Sequence, residues 1–462
     1  MTTHRESADI SGVISGLTHT SVSSKKTVLS SLLADLNTEQ SLVNTERTNL
    51  QTHREQVTGM IGNLTVVSDA VEYTVSAGSG TLPVGMAVFV DASYAGGSSD
   101  GSREKPYSDL GVALDAKCAV ADDDERVFII SAGVYTVSRT LVKDPAKKQK
   151  VTFRGKGQGL TILQAGVSFA AGKASDCLKL SDFGGIRVEE LTIRYCKYGL
   201  RTVTCDDLHV RNVEFLQCGA SDTATNFDNS LSLADQLSAY TANFTDGGAL
   251  RADLCDGFVR VLDCHVADCD RGLRVRDSVK GGIIARNFVE RTGQAGIYLN
   301  ASTYTGATGC RNFTVSGNTV INACNNSILV IGGRDNVVSE NTLKGGWNCA
   351  IQLWHCCNTT VSDNKIEKCN FSEHNGQGVL GDAWCSGVVA DGATAITASA
   401  TYQCRITGNI ITEPSAGRVP GPMIFAIRIM NTAFANGNQV FVQGNHSEGA
   451  DIHFEKDEAA VV

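Results

Sequence analysis

The sequence predicts an all-β solenoid, and three observations carry that reading. One phrase recurs as NFTVSGNTV, DNVVSENTL and TTVSDNKI, placing Asn318, Asn341 and Asn364 at intervals of 23 residues. A fixed period of this length marks stacked supersecondary units that bury a continuous core only together. Glycine is abundant at 47 residues and proline scarce at 6, as suits many short strands joined by tight turns. Two apolar columns also run through the chain at the same period. Val188, Val210, Val261, Ile284, Val315, Val338, Val361, Ile406 and Val442 form the first, and Leu200, Leu250, Leu273, Ile297, Ile328 and Ile351 the second.

The chain has 462 residues, of which 42% are hydrophobic, so a large core is available. A formal charge of −9 argues against a sequence-independent grip on nucleic acid, which needs a concentrated basic face. No window resembles a membrane span, so membrane insertion is not expected. The opening MTTHRESADISGV lacks the apolar stretch of a secretory signal, which points to synthesis as a soluble cytosolic product. Sixteen cysteines then read as reduced thiols. Cys196, Cys218, Cys269 and Cys369 recur at one repeat position, and Cys205, Cys255 and Cys310 precede coils, as small packed hydrophobes do. His355 with Cys356 and Cys357 lacks the spacing of a zinc knuckle; no metal and no cofactor is expected.

In chain order, residues 1–27 are polar and aperiodic and read as a flexible or partner-ordered arm. Within 28–64, Leu29, Leu36, Val43, Leu50, Val57 and Leu64 hold a strict spacing of seven, while the companion positions Glu39, Glu46 and His53 are polar. This helix either packs on its own β domain or forms a thin trimeric stalk, and the strict spacing favours the stalk. Residues 65–125 read as a small β segment with a capping helix after Pro106, in which Leu110, Val112, Ala113 and Leu114 share one side. Residues 126–447 form the solenoid and 448–462 a tail.

The phrases VFIISAGVYTV from Val127 and VTFRGKGQGLTIL from Val151 resemble the opening of right-handed parallel β-helix proteins of the pectate-lyase-like type. The resemblance spans roughly residues 88–447, implies the single-stranded parallel β-helix, and leaves activity open, because this scaffold carries lyases, hydrolases, epimerases and proteins without chemistry. The polygalacturonase motifs (Asn-Thr-Asp, Asp-Asp, Gly-His-Gly) and the pectate-lyase phrases are missing, so no catalytic residue carries over. A polar arm, a helical stalk and an outward β-helix together resemble a viral tail-spike or fibre protein. That resemblance implies a homotrimer located on a virion, made in the host cytoplasm, held to other virion proteins by its N-terminal region and recognising host-surface or acidic polysaccharide.

Three residues beyond the first column come Leu191, Val213, Cys264, Asn287, Asn318, Asn341, Asn364, Asn409 and Asn445, a column that turns from apolar to amide. An Asn carries donor and acceptor together and can bond its copies above and below. Beside the second column, Arg201, Arg251, Arg274, Tyr298, Leu329 and Gln352 face outward, followed two residues on by Val203, Asp253, Arg276, Asn300, Ile331 and Trp354. Stacked arginines repel unless an acid relieves them, so Arg201, Arg251, Arg274 and Arg276, with Tyr298 and Trp354 for sugar stacking, are the candidate glycan-binding residues. Acidic side chains of the insertion at 219–247 (Asp222, Asp228, Asp235 and Asp246) are the bland partners of that rail. For polysaccharide lyase or glycoside hydrolase chemistry the candidates are Asp253, Asp268 and Asp270, placed near the rail. Glu340 and Asp363 occupy equivalent slots on adjacent coils, with Lys344 and Lys365 as neutralising neighbours. The insertion between Asn364 and Asn409 adds His374, Asp382 and Trp384.

If residues 28–64 form a stalk, Leu36→Asp combined with Leu50→Asp converts an oligomer into a monomer in sedimentation. An unchanged mass rejects the stalk.

Overall fold

The structure, a computed structural model, describes residues 86–118, 124–146, 148–220, 247–301, 309–323, 325–345, 349–354, 356–367, 386–391, 403–412, 425–429, 439–448 and 452–456. The helical stalk of 28–64 lies outside the described residues, as do Cys369, His374, Asp382 and Trp384.

Strands stack coil upon coil, and every pairing among the described strands is parallel. Two ladders merge into one 21-stranded sheet, and the third is an 11-stranded sheet whose order follows the chain without interruption. The merging occurs in the long strands Gly185–Cys196 and Asp207–Cys218, each of which contributes to both ladders. The chain is thus a parallel β-helix with three strand positions per coil.

The corner between the first two ladders shows how local chemistry sets the shape. Glu190, Asn212, Asp263, Arg286, Gly317, Glu340, Asp363, Gly408 and Gly444 occupy it in successive coils, and all have φ between 49° and 66°. This left-handed conformation costs most side chains about 1 kcal/mol or more, so neighbouring groups must secure the bend. The amide column, one residue further along each coil, does so. Asn287, Asn318, Asn341, Asn364 and Asn409 are almost fully buried. The Asn318 backbone N–H and Nδ2 both donate to Asn341 Oδ1, at 3.0 and 2.9 Å, and Asn341 repeats both bonds to Asn364 Oδ1 at the same distances. Each Nδ2 also donates across the corner, Asn341 to the Val315 carbonyl at 2.9 Å. The ladder runs on through Asn409 to Asn445 and begins at the Cys264 N–H.

Inside, the predicted register holds residue for residue. Val188 lies opposite Val210, Val210 opposite Val261, and the pairing continues through Ile284, Val315, Val338, Val361 and Ile406 to Val442. All but the terminal Val442 are 0% exposed. Burial at roughly 1.5–3 kcal/mol per Val or Ile side chain makes this stack a principal driving force. The cysteines join it as packed hydrophobes, with Cys196 opposite Cys218. Burial pushes the Cys196 thiol up to about 11 and Cys264 up to about 12.

The solenoid is longer than the sequence alone placed it. Ala87–Val90 pairs with Arg126–Ile130, and Ile452–Lys456 pairs with Phe425–Ile429, so coils extend on both sides of 126–447. The capping helix covers Leu110–Cys118 and buries Leu110, Ala113, Leu114 and Cys118. Val112 is instead 53% exposed, because two residues along a helix turn about 200° away from the buried side.

Asn341→Asp removes two donated bonds and sets a carboxylate against the Val315 carbonyl and Asn364 Oδ1, so it destabilises by about 2–4 kcal/mol. Thr342→Ala, one residue on and half-buried, stays within about 0.5 kcal/mol. Equal shifts in thermal melting contradict the register.

Candidate functional site

The outer face of the 11-stranded sheet gathers the predicted binding residues. Arg201 lies opposite Arg251 and Arg251 opposite Arg274, and the column continues with Tyr298, Leu329 and Gln352. The neighbouring column reads Val203, Asp253, Arg276, Asn300, Ile331 and Trp354. Arg201, Arg251, Arg274, Arg276, Tyr298 and Trp354 therefore share one face, as the sequence register requires.

Their environment differs from the solvent-facing one expected. Arg251 and Arg274 are only 7% and 9% exposed, and Asp253 only 2%. Guanidinium groups are taken out of water at a cost, and a carboxylate between them offsets it. Arg251 Nε donates to Asp253 Oδ2 at 2.7 Å, while Arg276 Nε approaches Asp253 Oδ1 at 3.1 Å and Asp277 at 3.6 Å. Arg201 and Arg251 also stack over the fully buried Tyr198 ring, at 5.7 and 5.6 Å, and Arg274 over Tyr298 at 5.4 Å. Burial, with Arg271 and Arg251 nearby, pushes the Arg274 guanidinium below its ordinary value.

Satisfaction of these groups is incomplete. Arg276 Nε and Asp253 Oδ1 lie at ion-pair distance, yet neither makes a hydrogen bond, because the N–H is not aimed at the oxygen. Arg201 Nε is likewise buried without a hydrogen bond, although the Asp176 carboxylate is 3.6 Å from its NH1. Buried polar atoms left in this state are uncommon and call for a partner such as a water, an ion or a ligand. The face can thus supply cationic donors and two aromatic rings to an anionic chain. The acidic positions Asp222, Asp228, Asp235 and Asp246 lie outside the described residues.

Of the three candidate acids, only Asp253 belongs here. Asp268, with φ 55°, lies in the second-ladder strand His265–Cys269, where Arg291 grips both its oxygens at 2.6 and 3.1 Å. Asp270 is fully buried and clasps the base of the 221–246 insertion: its Oδ2 accepts the Ala220 N–H at 2.7 Å. A Cβ at Gly219 would fall 2.4 Å from Asp270 Cγ, so glycine is required there. Neither belongs to the outward columns of the 11-stranded sheet, since Asp268 is in a second-ladder strand and Asp270 in the turn that follows it. Lys344 and Lys365 also differ from expectation, since both pair with Glu367, at 3.7 and 2.6 Å, rather than with Glu340 and Asp363.

A cluster that the sequence reading missed lies on the second ladder. His265 Nδ1 is 3.2 Å from Glu214 Oε1 and its Nε2 3.3 Å from Glu290 Oε1. Thr192 Oγ1 donates to Glu214 at 2.8 Å, and the Phe288 ring tilts against the imidazole at 5.5 Å. Glu214 and His265 each come directly after a residue of the core-facing column, Val213 and Cys264, so their adjacency was available from the register. The hydrogen bond to Glu214, and then that to Glu290, hold the imidazole above its ordinary value against the opposing effect of burial. No group of three or more potential metal ligands is assembled among the described residues, and His355 lies outside them.

Because the folded-state value is raised, the stability contributed by His265 is fully present below pH 6.5 and is lost as pH rises through the higher folded value. His265→Gln therefore narrows its melting-temperature gap from the native protein as pH rises. A gap that is constant from about pH 5 to about pH 9, which brackets the ordinary histidine value on both sides, refutes the charge-paired imidazole.

Residues 151–366 match the family description "Right handed beta helix region". No curated protein matches the chain. Among solved structures, the A-module of the mannuronan C-5 epimerase AlgE6 of Azotobacter vinelandii is similar at 12% identity and a TM-score of 0.43, covering 76% of this chain and 92% of that one. An alginate lyase from Paenibacillus is similar at 12% identity and a TM-score of 0.40, covering 75% and 96%. The catalytic unit of a GH87 alpha-1,3-glucanase from Streptomyces thermodiastaticus gives 14% identity and a TM-score of 0.41, covering 82% and 72%. Likeness at this level concerns the fold alone.

Proposed function

We propose that this right-handed parallel β-helix protein binds an acidic polysaccharide along the outer face of its 11-stranded sheet. Arg201, Arg251, Arg274 and Arg276 receive the carboxylates of successive sugars, and Tyr298 and Trp354 stack on sugar rings. The observation that supports this reading is the in-register run of arginines with under-satisfied polar atoms at Arg201, Asp253 and Arg276. Cations brought together on adjacent strands repel, and a polyanion with repeating charge relieves that repulsion along the whole column. The setting that goes with it is a virion surface spike or fibre: a homotrimer attached to other virion proteins through its N-terminal region, meeting host-surface polysaccharide.

A second reading, polysaccharide lyase or glycoside hydrolase, draws on one feature, the carboxylate of Asp253 buried among those arginines. Lyase chemistry suits the face better than hydrolysis. Arginines neutralise a uronate so that its α-proton can be removed, whereas hydrolysis needs two carboxyl groups set across the glycosidic bond.

Incubation of the full-length protein with acidic and neutral polysaccharides separates these readings, scored for binding and for release of unsaturated or reducing ends. Binding confined to the acidic polymers and weakened by salt is expected. Arg201→Gln and Arg274→Gln each lose about 1.5 kcal/mol, roughly tenfold in Kd, if they donate to a carboxylate. Unsaturated ends move the protein to the lyase class. Equal affinity for neutral polymers, or none for any, removes the proposed site.

A further inference from the structure

Where the chain leaves the 11-stranded sheet, two coils end in the same way. Thr204 and Leu254 both take left-handed backbone conformations, with φ 53° and 56°, and each is followed by a cysteine. The strand residues before them pair in register, Ala252 with Thr202 and Asp253 with Val203. The turn then continues that register through backbone bonds, Thr204 N–H to the Asp253 carbonyl at 3.0 Å and Asp256 N–H to the Cys205 carbonyl at 2.8 Å. Cys205 and Cys255 are thereby stacked, 1% and 0% exposed, with their Sγ atoms 3.0 Å apart. Cys196 and Cys218, also stacked on adjacent coils, keep their sulfurs 3.5 Å apart. Plain packing therefore does not require the closer approach.

Adjacent parallel strands are spaced by about 4.8 Å, inside the window of about 4.4–6.8 Å between Cα atoms that a disulfide spans. The backbone bonds on either side hold that spacing whether the sulfurs are linked or not. We propose that Cys205 and Cys255 are a redox clasp, which a hydroperoxide oxidant closes into a cross-coil disulfide. One thiol gives up its proton, its thiolate attacks an oxygen of hydrogen peroxide to form a sulfenic acid, and the hydroxide that leaves takes up that proton as water. The second thiol then attacks that sulfur, the S–S bond forms and a second water leaves. Two thiols lose two electrons and two protons, and the peroxide takes up both. Because the thiols are buried, the reaction proceeds through transient opening of the turn.

The bond would close a covalent loop over a separation of 50 residues, which contains the 221–246 insertion, Arg251 and Asp253. Such a loop restrains the opened coil far more than the folded one. Oxidation thus fixes one coil against the next beside the arginine column without changing any outward residue. The inference does not depend on what that column binds.

The test treats the native full-length protein with hydrogen peroxide, then denatures, alkylates and digests it for mass spectrometry. A linked peptide joining Cys205 to Cys255 is expected, reversed by dithiothreitol. Oxidised protein should also show slower proteolysis across residues 206–254, a protection that Cys255→Ala abolishes while its untreated melting and circular dichroism confirm the fold. Recovery of both residues as alkylated thiols, under conditions that oxidise the denatured chain, overturns the proposal. So does linkage confined to another pair such as Cys196 and Cys218.

Discussion

The fixed alignment of each coil on the next is the constraint on which the other features depend. In the first core column each valine or isoleucine lies on another, and from Asn287 to Asn445 each corner amide bonds the next, because each coil returns after one turn to the same register. A slip of one residue would carry the whole apolar set outward. The asparagine ladder makes such a slip costly, since the backbone N–H and Nδ2 of Asn341 donate to Asn364 in the next coil, its Oδ1 accepts from Asn318 in the preceding one, and Nδ2 also donates to the Val315 carbonyl. The same ladder secures the left-handed residue ahead of it, where Glu340, Asp363 and Arg286 accept a conformation better suited to glycine.

That regularity also makes the outer face chemically unusual. A solenoid displays whatever it repeats, so three arginines recurring at one slot become a column of like charge at strand spacing. The chain answers with Asp253, gripped by Arg251 and approached by Arg276, and with Tyr198 beneath two guanidinium groups. Poor aim between Asp253 and Arg276 leaves donor capacity on the face, and this distinguishes it from the second ladder. There, His265 lies between Glu214 and Glu290, and Glu290 in turn pairs with Arg291, so the charges form a mutually paired network.

Irregularities in the repeat have their own supports. On either side of the stretch 221–246, Gly219, Ala220 and Gly247 gather around the buried Asp270. An aspartate that looked catalytic from its position is an anchor, fixing where the interruption between the long strands and the later coils begins and ends.

Much of this architecture was legible in the sequence. Period, core columns, amide column and outward arginine column are all local repeats, and a strand's alternation fixes which face each residue takes. The members of the candidate face could therefore be named in advance, because in-register stacking turns sequence period directly into spatial adjacency. Three things were decided by tertiary structure. Burial of Arg251 and Arg274 depends on everything packed over and around the sheet, which a two-residue alternation cannot express. The roles of Asp268 and Asp270 depend on the partners that other coils bring to them, Arg291 and the Ala220 N–H. The pairing of Lys344 and Lys365 with Glu367, and of His265 with two glutamates, depends on side-chain reach across strands rather than on slot number. The sequence determined what repeats and which way it faces; three-dimensional packing decided which of those groups are withdrawn from water and which partners they meet, since both depend on contacts between residues distant in the chain.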